Sequence, residues 1–229
     1  MIGFLAVNSI IFREPMQIYP EQLDQQDAYK LINGGIVPRP IAWVSTVDQA
    51  GNINLAPYSF FNGVGSNPLA LCFSVMHAAA RPEGRKDTLH NIQATRQFVV
   101  NIVSEPLAEA MNITAADFPP GVSELAAAGL EAAPGVAVGV PRVAAAAISY
   151  ECELYTLVPV GEGPGSATII VGKIVLVHVR DDLIDNRYRI DHQALQPIAR
   201  LSGNDYAYVH EVFSMLRPHF DPETDGITS

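Results

Sequence analysis

The feature that most constrains this chain is a succession of short apolar runs, rich in β-branched residues and separated by turn chemistry, at 41–47, 70–76, 98–103, 148–158 and 167–179. The run at 70–76 is short enough for a buried strand, and 148–158 and 167–179 are long strand candidates flanking a turn. After the first run, Asp48-Gln49-Ala50-Gly51 supplies a turn in which Gly51 can take a positive φ, and residues 52–57 return as the second arm of a hairpin. Between the last two runs, the glycine- and proline-bearing stretch 161–165 reads as another turn. At least six strands, many joined by short turns and with few helices, predict a mainly β fold, a β-barrel with peripheral helices, rather than alternating βα units. No G-x-G-x-x-G follows a strand, which argues against a Rossmann dinucleotide domain.

The remaining segments are expected to decorate that barrel. Helices are predicted at 24–32, before Gly34-Gly35, and at 87–95 with Asp87 as N-cap; two short ones are predicted at 106–116 and 123–128, around Pro119-Pro120. Residues 130–147 carry too little polarity for a flexible linker and are expected to wrap over the core. Residues 1–24 read as an N-terminal extension, 25–210 as one domain and 211–229 as a C-terminal tail. The apolar start, 1–12, has neither the basic region nor the cleavage pattern of a signal peptide, and no apolar run approaches the ~20 residues that cross a bilayer. The expectation is a cytoplasmic protein with no membrane partner.

A formal net charge of -10 excludes an extended nucleic-acid surface, which needs a basic footprint. A local pair such as Arg85 and Lys86 can still attract an anion. Cys72 and Cys152 lie in apolar runs with no zinc or redox spacing and read as buried hydrophobes. The six histidines show no H-x-x-x-H or H-E-x-x-H spacing, so no metal site is expected, and no G-x-S-x-G elbow marks a hydrolase. His178 reads as a satisfied strand residue.

Three clusters can carry chemistry. In the first, Ser45 and Thr46 end an apolar strand, facing Ala56-Pro57-Tyr58-Ser59-Phe60-Phe61 across the hairpin. A flat heteroaromatic ligand needs apolar walls and a few edge hydrogen bonds. Pro57, lacking an N–H, is expected to interrupt the ladder and free nearby backbone groups. Strand-end hydroxyls and core aromatics are the plainer alternative. In the second, Arg85-Lys86-Asp87-Thr88 opens a helix, where unpaired N–H groups and the dipole favour phosphate, or simply where a solvated helix begins. In the third, Arg200 beside Gly203, Asp205 and Tyr206 suits phosphate, a partner carboxylate or a surface ion pair.

The run Pro38-Arg39-Pro40-Ile41-Ala42-Trp43-Val44-Ser45-Thr46 resembles the opening signature of the flavin reductase-like, FMN-binding split-barrel family. Asn54-Leu55-Ala56-Pro57-Tyr58-Ser59-Phe60-Phe61-Asn62 is similar to its next block, and Lys86-Asp87-Thr88-Leu89-His90-Asn91-Ile92, Phe98-Val99-Val100-Asn101, Gly172-Lys173-Ile174-Val175 and Arg200-Leu201-Ser202-Gly203-Asn204-Asp205-Tyr206 follow in family order. The resemblance implies a Greek-key split barrel that forms a homodimer with FMN near the interface. It implies that Ser45, Thr46, Ser59 and the stretch Pro57, Tyr58, Ser59, Phe60, Phe61 hold the ring and ribityl chain. By the same resemblance Lys86, Asp87 and Thr88 surround the phosphate, and Arg200 with residues 203–206 completes the site. The implied activity is reduction of FMN with NADH or NADPH, with a partner oxygenase or other acceptor downstream. The alternative is an FMN carrier or electron-transfer module without its own nicotinamide reaction. Reductase members often carry a histidine in the region matched by Ser166-Ala167-Thr168, where this chain has none.

Overall fold

The computed structural model describes residues 15–77, 86–119, 122–221 and 226–228. The apolar start at 1–12, Arg85 and Pro120 lie outside them.

One seven-stranded sheet organises the molecule, in the order β2-β1-β5-β8-β9-β4-β3. Its strands are β1 (Ala42–Val47), β2 (Ile53–Tyr58), β3 (Phe61–Ser66), β4 (Leu69–Met76), β5 (Gln97–Ile102), β8 (Ile148–Val160) and β9 (Ala167–Val179), and every neighbouring pair is antiparallel. The two-residue β6 (Ala132–Ala133) and β7 (Arg142–Val143) pair separately. The β1–β2 turn is built as its sequence requires: Asp48 Oδ1 accepts from the N–H groups of Ala50 and Asn52, both at 2.8 Å, and Gly51 has φ 87°.

The two edges of this sheet, β2 and β3, are consecutive in the chain, with only Ser59 and Phe60 between them. Three Cα steps span at most roughly 11 Å. The sheet therefore curls until its edges meet at this corner, and the Ser74 N–H donates to the Phe60 carbonyl at 2.9 Å to hold it against β4. Among the described residues no ladder joins β2 to β3. The concave face encloses a core drawn from six strands, with Ala42, Val44, Tyr58, Phe73, Phe98, Cys152 and Ile170 among its members. Strand alternation sends Ile41, Trp43 and Leu55 to the opposite face, into a second core.

That second core is covered by α3 (Ala108–Ile113), α4 (Glu124–Ala127) and β10 (Ile198–Arg200), which pairs with β11 (Tyr206–Tyr208). The fully buried Trp43 donates its Nε1–H to Thr114 Oγ1 at 2.8 Å, fixing the end of α3. Helix α1 (Gln25–Gly35) starts on Asp24, whose side chain accepts from the Asp27 N–H. It runs through Gly34 and Gly35 rather than stopping before them, because the Ile36 N–H still finds the Ile32 carbonyl. Helix α2 (Asp87–Thr95) has Lys86 at its N-cap with no side-chain cap, so Asp87 is the first helical residue and not the cap.

One further expectation is revised. Pro57 does not interrupt the ladder: it pairs with Trp43, and pairing continues to Tyr58. The reason is that β2 is an edge strand, where alternate N–H positions face away from the sheet and a proline removes no bond. Within residues 211–229, β12 (His219–Asp221) pairs with β13 (Gly226–Thr228). Residues 130–147 do wrap the sheet, with Val138 and Val140 buried against Val99. Cys152 is buried and Cys72 half-buried, both as free thiols.

Candidate functional site

Two cavities flank Pro57. The larger, about 660 Å³, is lined on its apolar side by Ile41, Pro57, Met111 and Ile198, and on its polar side by Ser59, Asn112 and Arg200, with Tyr29, Tyr206 and Tyr208 at its walls. Its volume lies in the range of small-molecule sites. The smaller, about 80 Å³, sits at the start of α2 and is lined by Lys86, Asp87, Thr88, Tyr58 and Glu124. Pro57 and Ala115 belong to both linings, so the two spaces adjoin.

Behind the larger cavity lies Arg39, which does not line it but is bonded to segments that do, and to which sequence reasoning gave no role. Only 3% of it is exposed. Its Nη1 donates to the carbonyls of Asn33 and Ile36, both at 2.6 Å, and its Nη2 to Leu201 at 2.7 Å. Its Nε reaches Ser59 Oγ at a long 3.4 Å, and the guanidinium lies 5.7 Å from the centre of the Phe60 ring. Burial lowers its pKa, with Tyr29 opposing and Arg200 adding to the effect; a guanidinium remains charged all the same. The one local signal that could have found it is an arginine set between Pro38 and Pro40. Arg200 turns its guanidinium over the Tyr206 ring at 4.5 Å and donates to the Gly203 carbonyl, while its backbone bonds Arg39 in both directions.

In the smaller pocket the Tyr58 hydroxyl donates to Thr88 Oγ1 at 2.8 Å. With the Asn54 amide oriented to satisfy its neighbours, Thr88 donates onward to Asn54 at 2.9 Å, and Asn54 to Glu124 at 3.2 Å. The second Glu124 oxygen accepts the Leu55 N–H at 3.1 Å. Burial, the largest influence, pushes the Tyr58 phenol well above its ordinary range. Lys86 is the cation among the described lining residues, and Asp87, Asp117 and Glu124 are the acids.

The predicted site residues therefore separate. Pro57, Ser59 and Arg200 line the larger cavity, and Pro57, Tyr58, Lys86, Asp87 and Thr88 the smaller. Ser45 and Thr46 are fully buried in neither lining: Ser45 donates to the Pro141 carbonyl at 2.6 Å, and Thr46 accepts from Asn91 at 3.1 Å. Phe60 packs beside Tyr29, ring centres 6.3 Å apart, and Phe61 against the inner core. Sequence reasoning missed Tyr29, Asn33, Met111 and Asn112, which α1 and α3 bring to the cavity. A third cavity, about 400 Å³, is lined by His77, Ser166, Ala167 and Thr168, and the His77 N–H donates to the Ser166 carbonyl at 2.8 Å.

The flavin reductase like domain model matches residues 34–196. The chain belongs to this family. Within the flavin reductase-like family, a protein of uncharacterized function from Halalkalibacterium halodurans is 38% identical over 206 residues, 89% of this chain and 97% of that one. Among solved structures, nitrilotriacetate monooxygenase component B from Bacillus cereus superposes with a TM-score of 0.84 at 36% identity, covering 89% of this chain and all of its own. The 2-nitrobenzoate 2-nitroreductase NbaA of Pseudomonas fluorescens gives 0.80 at 35% identity over 90% of this chain and 98% of its own.

Among the described residues no helix is long and apolar enough to cross a membrane, and no group of His, Cys, Asp or Glu is arranged to hold a metal ion.

Proposed function

We propose that this flavin reductase-like protein binds FMN and works as an oxidoreductase, taking electrons from NADH or NADPH and passing them to a partner oxygenase or another acceptor. The observation that carries the reading is the pair of adjoining cavities that share Pro57: one of ring size with apolar walls and a polar rim, the other at an uncapped helix N-terminus beside a lysine. FMN is a flat apolar ring with a polar edge, joined by a polyol to a phosphate, and the two spaces match those parts in order. When bound, it supplies the hydride and electron chemistry. The chain's own residues then bind and orient. Ile41, Pro57, Met111 and Ile198 keep water from the ring faces, Ser59 and Arg200 meet its edge, and Lys86 with the first N–H groups of α2 takes the phosphate. Ser45 and Thr46 act from behind, Ser45 by pinning the 141–143 segment and Thr46 by holding Asn91 of α2.

The relative named as component B of a monooxygenase supports hand-over to a partner oxygenase. Closure of the curled sheet into the family's Greek-key split barrel and assembly into a homodimer belong to the same proposal. Phe213, Met215 and Leu216, each more than four-fifths exposed at 85, 82 and 81%, supply apolar surface for a second copy.

The test is a visible absorption spectrum of the protein with added FMN, before and after anaerobic NADH or NADPH. Bleaching of bound flavin supports the oxidoreductase reading and identifies the donor. A second reading, an FMN carrier or electron-transfer module, is favoured by the absence of histidine from Ser166-Ala167-Thr168. A bound-flavin spectrum bleached by dithionite but by neither nicotinamide would select it.

A further inference from the structure

Arg39 is tied to three walls of the larger cavity at once. Through Asn33 and Ile36 it holds the C-terminal turn of α1, through Leu201 the strand end after β10, and through Ser59 the corner between β2 and β3. Asn33, Ser59 and Arg200 all line the cavity. Every strong bond it makes ends on a main-chain oxygen, and among the described residues no carboxylate lies within ion-pair distance. A buried charge normally finds an opposite charge. Here the negative end of the α1 dipole and four oxygen dipoles stand in its place, so a full positive charge is retained just behind the cavity wall.

From this arrangement we infer that Arg39 is the positioning residue of the flavin site. It sets the spacing of the three walls, and its fixed charge favours a ring that becomes negative on reduction. The inference rests on the FMN reading above. Charge near the flavin ring is one of the means by which a protein tunes the cofactor, and low dielectric preserves its reach. The two roles separate by chemistry. Lysine retains the charge but offers a compact ammonium in place of the planar fork, so it cannot serve Asn33, Ile36, Leu201 and Ser59 together. Methionine retains the length and removes the charge.

The experiment compares wild type, Arg39→Lys and Arg39→Met by melting temperature, by FMN titration and by the midpoint potential of bound flavin under dithionite. Arg39→Lys is expected to bind oxidised FMN at least threefold more weakly with its midpoint potential unchanged. Arg39→Met is expected to lose at least tenfold in the affinity for reduced relative to oxidised flavin, a shift of about 30 mV to the negative for a two-electron couple. A folded, FMN-loaded Arg39→Met with the wild-type potential overturns the electrostatic role. If Arg39→Met does not fold, Arg39→Lys decides alone: unchanged FMN affinity, or a potential that moves with the affinity, overturns the inference. Wild-type protein that takes up no FMN overturns the flavin reading itself, which is a different failure from variants that match a flavin-loaded wild type.

Discussion

The Tyr58 hydroxyl donates to Thr88 Oγ1 at 2.8 Å, joining the last residue of β2 to the first turn of α2. Both residues are buried, Tyr58 at 8% exposure and Thr88 at 1%. The bond fixes the helix N-terminus against the wall that separates the two cavities. Tyr58→Phe removes the donor and leaves Thr88 one partner short, at a cost of about 1 kcal/mol in stability. A urea unfolding midpoint measures this, and no change would mean that the bond is not formed in solution. The raised phenol pKa has a sign. The unfolded tyrosine ionises near pH 10, about its ordinary value, while the folded one stays neutral. The contribution is full below that pH and is lost as pH rises beyond it, and Tyr58→Phe is expected to abolish this part of the alkaline loss.

Lys86 stands among acids, with Asp87, Asp117 and Glu124 on the same lining. Removing it leaves a phosphate facing carboxylates without a described cation to offset them. Lys86→Ala is therefore expected to weaken FMN binding by roughly 1.5–3 kcal/mol, the range of a hydrogen bond to a charged group. Riboflavin, which lacks the phosphate, separates a phosphate contact from a general effect. Its affinity should be the same for wild type and variant, and an equal loss for both ligands would sink the phosphate assignment. Thr88 contributes differently. Its proton goes to Asn54 and its oxygen accepts from Tyr58, so Thr88→Ala should lower stability, read as a drop in the urea unfolding midpoint.

What the sequence made legible divides along a physical line. Strands β1, β4, β5, β8 and β9 were readable within a residue or two because their runs are mainly apolar or β-branched and are bounded by turn residues. Strand β3 was not, since Phe-Asn-Gly-Val-Gly-Ser is an exposed edge with no apolar alternation to reveal it. In the candidate site, the stretch around Pro57 and the start of α2 were visible as local clusters. The pairing of Arg39 with Leu201 was not, because it spans 162 residues and ends on a carbonyl that every residue possesses. Ser45 and Thr46 looked like site hydroxyls because strand-end position is readable and burial is not. Their partners, Pro141 and Asn91, come from segments whose packing only the fold supplies.

Gly172 lies in the interior of β9, where a side chain would ordinarily strengthen the strand. A Cβ there would run into the Phe98 ring, meeting Cζ first and Cε1 at 3.1 Å, and Cys152 Cβ at 3.2 Å. Phe98 is fully buried and packs edge-on to Phe73 at 5.6 Å, which in turn packs on Tyr58 at 5.2 Å. Gly172→Ala must displace this aromatic column, and overpacking of that kind costs about 1–3 kcal/mol. Thermal unfolding of the variant is the check. A melting temperature at or above that of wild type would show that the column yields without strain.

Glu151 is the buried acid outside the cavities, fully enclosed and bonded to four donors: His178 Nε2 at 2.6 Å and the N–H groups of Val136 (2.8 Å), Ala137 (2.6 Å) and Val138 (2.9 Å). Burial by itself would push its carboxyl up, but these hydrogen bonds together outweigh it and hold the carboxyl below its ordinary range. The folded pKa is depressed, so the stabilisation is present above the unfolded value of about 4.3 and is lost as pH falls through the folded one. The loss should first loosen the 136–138 segment, whose three N–H groups the carboxylate holds. Glu151→Gln turns an amide N–H₂ toward groups that also donate, at a cost of about 1–3 kcal/mol at neutral pH. Urea midpoints for wild type and variant between pH 6 and pH 3 test the point, on a scale of roughly one to two pH units either side of an ordinary carboxyl. The gap between the two proteins should be constant at the upper end and close toward the lower. A gap that stays constant throughout would mean that the carboxylate is not what holds the segment.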